Sequence, residues 1–177
     1  TGGRAVFHDK LDFTYSFFAH LREFDYDINY AYSQVCSCII NTLSDLGIKA
    51  NLANKNDIVV DGKKISGNAS RVMRDGVYLQ HGTIVYEIDY KLMTEVLNMP
   101  IDRAKEKLAS ISQYKTITQE KFYKVLKANF TSKRECKING ISEYEMMRAR
   151  DLANKEYSII SPPKGTLLKS KGACFVV

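Results

Sequence analysis

Two Asp-Gly pairs, Asp61-Gly62 and Asp75-Gly76, constrain this chain more than any other feature in it. An Asp-Gly pair between two apolar stretches is a hairpin signal, because a two-residue type I′ turn needs positive φ at both positions. Ile58-Val59-Val60 precedes the first pair, Lys63 to Ser70 lies between the two, and Val77 to Tyr86 follows the second. The central third is therefore expected to be an antiparallel meander.

The flanks read differently. Residues 4–8 and 13–19 are short β-rich stretches on either side of the polar Asp9-Lys10, and a hairpin is expected there. From Asp27 to Leu46 the apolar positions Ile28, Ala31, Val35, Ile39, Leu43 and Leu46 follow the i, i+3/i+4 spacing of a helix, which Gly47 ends. Ile48 to Ala53 reads as a strand. Asp89 caps a helix to about Leu97, stopped near Pro100, and Asp102–Leu108 is another. Thr118 opens a helix over Gln119–Phe130, and Ser142 with Glu145 forms a capping box for one ending near Tyr157. Pro162-Pro163 breaks the chain before a β-like segment, Thr166 to Val177. The fold class is α+β, with a curved mixed or antiparallel sheet flanked by helices. A single domain over residues 1–177 is expected.

At 177 residues, with 45% hydrophobic and 26% charged residues, the chain has the composition of a globular domain with a sizeable core. No apolar run approaches the roughly 20 residues of a membrane helix, and no basic-then-apolar leader opens the chain. A cytoplasmic protein without a membrane partner is the expectation. The chain starts with Thr inside a Gly-Gly turn, so a fragment, or one piece of a larger polypeptide, is expected.

A net charge of +6 favours an anionic partner: nucleotide, nucleic acid or an acidic protein. The lysines between Lys105 and Lys137 also read as a solvated helix face, and no nucleic-acid-binding motif accompanies them. No nucleic-acid partner is expected. The four cysteines, Cys36, Cys38, Cys136 and Cys174, lack zinc-site spacing and read as free thiols, mostly buried.

Four segments carry residues suited to chemistry. Gly2-Gly3-Arg4-Ala5-Val6-Phe7-His8-Asp9 puts paired glycines, which let backbone N–H groups approach an anion, next to a charged donor. Asn56-Asp57 precedes a strand and also reads as a turn cap. In Asp61-Gly62-Lys63-Lys64-Ile65-Ser66-Gly67, strict strand alternation puts the two lysines on opposite faces and aligns Lys64 with Ser66. A cation at Lys64 suits a carboxylate or phosphate; an exposed hairpin lysine is the structural alternative. His81, followed by Gly82 in an apolar strand, reads either as a site of close ligand approach or as a core histidine.

In order and spacing these segments resemble the lipoate–protein ligase A family, within the larger group of biotin/lipoate ligases and octanoyltransferases. That family carries Arg-Arg-x-Ser/Thr-Gly-Gly-Gly/Arg-Ala-Val-Phe/Tyr-His-Asp, present here from the Thr onward. Tyr15-Ser16, Asn56-Asp57, Gly62-Lys63-Lys64-Ile65-Ser66-Gly67-Asn68-Ala69 and Leu79-Gln80-His81-Gly82-Thr83 follow. The resemblance is strong over residues 1–130 and weaker through Tyr144 to Tyr157. Arg4 stands where many ligases have a third glycine, and Thr14 where Asn or Cys is common. The arginines before the Thr and the first strands of the sheet are absent.

The resemblance implies the biotin/lipoate ligase catalytic-domain fold and a two-step reaction. Lipoate and ATP with Mg²⁺ give lipoyl-adenylate, and the acyl group passes to a lysine of a carrier. The carrier is a lipoyl domain of a 2-oxoacid dehydrogenase E2 component or the glycine-cleavage H protein. Carried over residue by residue, Gly2, Gly3, Arg4, Ala5, Val6 and Phe7 hold ATP or the adenylate. Lys64 contacts the acyl carbonyl and phosphate as the catalytic residue. His81 and Gly82 line the acyl pocket, and Asn56 and Asp57 sit near the adenylate, Asp57 as the metal ligand. No C-terminal accessory domain is evident, and some ligases of the family obtain one from a separate subunit.

Two alternatives stay open. An octanoyl or lipoyl transferase of this group works through a cysteine thioester, with the cysteine before the Gly-Lys-Lys hairpin or after the His-Gly strand. Residues 48–60 and 82–135 contain no Cys. The other alternative is a non-catalytic carrier-binding subunit.

Overall fold

The structure, a computed structural model, describes residues 6–8, 11–131, 140–152 and 154–155. It divides into two compact units, one comprising the described residues up to 131 and the other those from 140 onward.

The first unit is built on a five-stranded sheet, and its meander is the expected one, except that the Asp75-Gly76 turn is a four-residue loop, Met73 to Gly76, in which only Gly76 is left-handed (φ 80°). Strands β1 (Asp12–His20), β2 (Asn51–Ala53), β3 (Asp57–Val60), β4 (Lys63–Val72) and β5 (Val77–Val85) lie in the order β1-β5-β4-β3-β2. Every pairing between them is antiparallel, so the mixed sheet that sequence left open is not the one formed. Asp61 (φ 49°) and Gly62 (φ 76°) both adopt the left-handed conformation that the two-residue β3–β4 turn demands.

Helix α1 (Ile28–Asp45) covers one face of this sheet. Asp27 caps it, its carboxylate accepting from the backbone N–H groups of Asn29 (2.8 Å) and Tyr30 (3.1 Å). Its end is a Schellman arrangement, with Ile48 N–H donating to the Leu43 carbonyl and Gly47 N–H to that of Ser44, both at 2.8 Å. Cys36, Ile39 and Leu43 of α1 are buried against Ile58, Ile65 and Ile84 of the sheet and Phe122 and Leu126 of α5 (Gln119–Thr131). Burial of each large side chain stabilises the fold by about 1.5–3 kcal/mol. A second cluster, of Leu21, Phe24, Ala31, Val35 and Tyr78, closes the far end.

Between β5 and α5 run α2 (Tyr90–Leu97), α3 (Ile101–Lys107) and the single turn α4 (Ile111–Tyr114). The turn α4 and a 3-10 turn at Leu21–Phe24 carry no sequence period long enough to announce them. The strand expected from Ile48 shrinks to Asn51–Ala53, because Ile48 is consumed by the cap of α1 and buried there.

In the second unit, α6 (Glu143–Leu152) starts with the expected capping box. Ser142 N–H donates to Glu145 Oε2 at 2.8 Å, and Glu145 N–H to Ser142 Oγ at 3.2 Å. The Asp9-Lys10 turn, Cys136, Cys174, Tyr157 and the Thr166–Val177 segment lie outside the described residues. Among those described, no helix is long and apolar enough to cross a membrane.

Candidate active site

The face of the sheet opposite α1 is the one that carries the chemistry, and pairing fixes its membership. Residues directly opposite one another share a face. Asp57 pairs with Gly67, Gly67 with Thr83, and Thr83 with Thr14; one step along, Ala69 pairs with His81 and His81 with Ser16. Thr14, Ser16 and Phe18 of this face are solvent-exposed.

Lys64 belongs to this face only because the strand is irregular. From Asp57↔Gly67 and Ile58↔Ser66 the ladder jumps to Val59↔Lys64, leaving Ile65 as the extra residue of a β-bulge. Strict alternation would align Lys64 with Ser66, whose face packs on α1. The bulge instead buries Ile65 completely and turns Lys64 to the other side. The chain after α3 holds the bulge from outside: Ala109 N–H donates to the Lys64 carbonyl at 2.9 Å, beside a parallel bridge between Lys64 and Leu108.

The Lys64 side chain folds back across Gly67. A Cβ on Gly67 would meet Lys64 Cε and Nζ at 2.7 Å each, so the missing side chain is the space the ammonium occupies. There it forms an ion pair with Asp57 Oδ1 at 2.7 Å. The pair is partly open, with the lysine side chain 38% and the aspartate 18% exposed. Asp57 Oδ1 has this charge contact but no aligned hydrogen-bond donor, and the nearby Tyr32 hydroxyl on α1 is buried without a partner. Burial, with the Cys36, Tyr78 and Asp57 charges adding to it, raises the Tyr32 pKa.

Farther along the face two imidazoles approach each other. His8 Nδ1 lies 3.2 Å from Thr83 Oγ1. Burial lowers the pKa of His8, and proximity to His81 lowers it further; burial lowers that of His81 as well. Both rings are thus biased towards the neutral form, suited to an apolar or carbonyl-bearing group rather than to a phosphate.

Of the residues singled out from sequence, Asp57, Lys64 and His81 share this face, and His8 joins them. Asn56 sits in the exposed turn before β3. Val6 is 44% exposed and Phe7 half-buried, while Gly2, Gly3, Arg4 and Ala5 lie outside the described residues. Gly82 faces the opposite way from His81. A Cβ there would meet Asn68 Oδ1 at 2.4 Å, the Gly67 carbonyl at 2.7 Å and Tyr15 Cε1 at 2.9 Å. What Gly82 makes room for is therefore a polar cluster under the sheet, which inspection of the sequence did not reveal. Its members were visible there only as parts of longer motifs.

Of the described cysteines, Cys36 is buried on α1, beneath the sheet, and burial pushes its thiol up to about 11. Among the described residues no group of three or more His, Cys, Asp or Glu side chains is placed to hold a metal ion.

The fold that carries this site is shared with known proteins. Lipoate-protein ligase LplJ of Bacillus subtilis is 28% identical over 156 residues, 82% of this chain and 45% of the relative. Octanoyltransferase LipM of Halalkalibacterium halodurans is 32% identical over 133 residues, 61% of this chain and 48% of that protein. The chain thus spans about half the length of these relatives. Among solved structures, the bi-partite lipoate protein ligase of Thermoplasma acidophilum, described with its E2 lipoyl domain, superimposes with a TM-score of 0.80 at 26% identity. That match covers 96% of this chain and 70% of the other. A Thermoplasma acidophilum structure with bound lipoic acid gives 0.77 at 26% identity over 90% and 67% of the two chains. A lipoate-protein ligase A bound with ATP shares the fold, with a TM-score of 0.75 at 24% identity over 86% and 64%. The family of the lipoyl protein ligase A/B catalytic domain matches residues 1–131, and the chain belongs to it.

Proposed function

We propose that this chain is the catalytic part of a lipoate–protein ligase, which activates lipoate with ATP and transfers the lipoyl group to a lysine of a lipoyl domain. The observation that carries this reading is the Lys64 ammonium, held over Gly67 at the rim of an open sheet face on which no described cysteine lies. Acyl transfer through a mixed anhydride needs charge neutralisation on phosphate, a donor to the acyl carbonyl and an oriented amine, but no protein nucleophile. Lys64 supplies the first two. Gly67 offers a cradle without a Cβ in which an anionic group can sit against that ammonium.

In the activation step a lipoate oxygen attacks the α-phosphorus of ATP and pyrophosphate leaves. In the transfer step the amine of a carrier lysine attacks the acyl carbon and AMP leaves. Lys64 holds the acyl phosphate through both, its ammonium kept in place by Asp57 beside it. The neutral His8 and His81 border the less polar end, where the acyl chain lies. The ATP-bound and lipoic-acid-bound neighbours support both substrates. Mg²⁺ delivered with nucleotide phosphates needs only one or two protein carboxylates, and Asp57 would supply one of them. Gly2, Gly3, Arg4, Ala5, Val6, Phe7 and Asn56 are proposed to contact the nucleotide. The bi-partite neighbour and its E2 lipoyl domain support a lipoyl domain as acceptor and a separate accessory subunit as partner; the H protein is a second acceptor to test.

A cysteine-dependent octanoyltransferase is the second reading, favoured by the similarity to LipM. Against it stands Cys36, whose raised pKa leaves it a protonated thiol under the sheet at neutral pH. Mass spectrometry of an apo lipoyl domain decides between them. A mass gain with ATP plus lipoate, lost in Lys64→Ala with an unchanged melting curve, is the expected result. A gain only with octanoyl-carrier protein, or full activity in Lys64→Ala, overturns it.

A further inference from the structure

Beneath the reactive face runs a chain of buried polar side chains that ends at the Asn56-Asp57 turn. The Tyr78 hydroxyl donates to Gln80 Oε1 at 2.6 Å. Gln80 Nε2 donates to the Tyr15 hydroxyl at 3.1 Å and to Cys36 Sγ at 3.3 Å. The Tyr15 hydroxyl in turn donates to Asn68 Oδ1 at 2.7 Å, and Ser66 Oγ donates to the same oxygen at 3.4 Å. With two donors on its oxygen, the Asn68 amide has one orientation left: Nδ2 turns to the Asn56 carbonyl, 3.1 Å away. The Asn68 backbone N–H grips that carbonyl too, at 3.0 Å.

Tyr78, Gln80, Ser66 and Asn68 are all buried, and each bond restricts the next. Such a network specifies one arrangement, because any reversal leaves a buried donor or acceptor unpaired. Its free end is the residue directly before Asp57, and Asp57 is the carboxylate that places the Lys64 ammonium. Gly82 serves the same end, since a side chain there would strike Asn68 Oδ1 and Tyr15.

We infer that Asn68 is a positioning residue for the ligase reaction. Through the Asn56 carbonyl it fixes where Asp57 stands, and through Asp57 the position of Lys64; Tyr15 and Gln80 set the orientation of its amide. The inference rests on the ligase reading, with Lys64 as the group that meets the acyl phosphate. Asn68 touches no reacting atom.

The test is a double-mutant cycle read by calorimetric binding of lipoyl-sulfamoyl-adenosine, a stable mimic of the adenylate. Asn68→Ser is expected to weaken binding roughly tenfold, the low end of what removal of an outer-shell partner costs. In a Lys64→Ala background the same change is expected to alter binding less than about twofold, because the residue through which it acts is gone. A tenfold loss in both backgrounds, or in neither, overturns the inference. Tyr15→Phe, which leaves Asn68 in place but frees its amide to rotate, is expected to show the same dependence on Lys64 with a smaller loss, and guards against misfolding of Asn68→Ser. A wild type that ignores the mimic overturns the adenylate reading instead. The crystal structure of the Tyr15→Phe or Asn68→Ser protein then decides the positioning role alone: a displaced Asp57–Lys64 pair upholds it, and an undisturbed 2.7 Å contact refutes it.

Discussion

Replacing Gly82 by alanine tests the account of the sheet's underside with a single methyl group. The backbone of Gly82 is not in the left-handed region, so alanine carries no conformational penalty and any cost is steric. The new carbon would lie 2.4 Å from Asn68 Oδ1, 2.7 Å from the Gly67 carbonyl and 2.9 Å from Tyr15 Cε1. The carbonyl is backbone in the paired strand and cannot swing aside, so overpacking of about 1–3 kcal/mol is expected. Moving Asn68 or Tyr15 to relieve the other contacts also breaks a buried hydrogen bond, for about 1 kcal/mol more. Together these lower the melting temperature by roughly 5–15 °C. Gly62→Ala is the contrast: no atom lies within 4 Å, and only its φ of 76° resists a side chain, for about 1 kcal/mol. Circular-dichroism melts of both variants against wild type provide the measurement. A Gly82→Ala protein melting within about 2 °C of wild type, on the scale of ordinary surface substitutions, would refute the packing described for Tyr15 and Asn68.

The other predictions separate stability from chemistry. Gly67→Ala displaces only the far end of the Lys64 side chain, so it should melt within a few degrees of wild type yet lose most lipoylation; an active variant removes the Gly67 cradle from the mechanism. The folded-state pKa values of His8 and His81 lie below the ordinary 6.5, so the folded state binds fewer protons than the unfolded chain. The stability this confers is full above pH 6.5 and is lost as the pH falls from there through the lowered values. His81→Gln should flatten that acid-side slope in melts, and an unchanged slope counts against the assignment. Cys36→Ser retains an acceptor for Gln80 and should keep acyl transfer per folded molecule, whereas abolished transfer with an intact fold points to a thioester.

Much of this was legible in the sequence because turn chemistry is local. Asp61-Gly62 announced its hairpin, and Asp89 and Ser142 announced their helices, since each acts on backbone groups within a few residues. The 18-residue α1 had length enough for its period to be counted, while the four residues of α4 had none. Motif order brought Asp57, Lys64 and His81 to attention, but not the partnership between Asp57 and Lys64. That depends on a register shift, and nothing in the string Lys63-Lys64-Ile65-Ser66 shows which residue will be left unpaired. Asn68, Tyr15 and Gln80 were hidden for a related reason: their bonds join residues 53 and 65 positions apart, and polar side chains in strands read as surface until the pairing is known.

The bulge at Ile65 makes pairing register, rather than residue identity, the guardian of this site. Between the Gly62 turn and the Gly67 cradle stand four residues, Lys63 to Ser66, and it is the surplus one that rolls the ammonium outward. A chain of this length paired straight through, without the bulge, would keep its lysine, its glycines and its aspartate and still point the cation into the hydrocarbon beneath α1. In a relative, a one-residue gap between those two glycines therefore leaves the site intact, because Val59↔Lys64 and Asp57↔Gly67 then fall in one unbroken ladder.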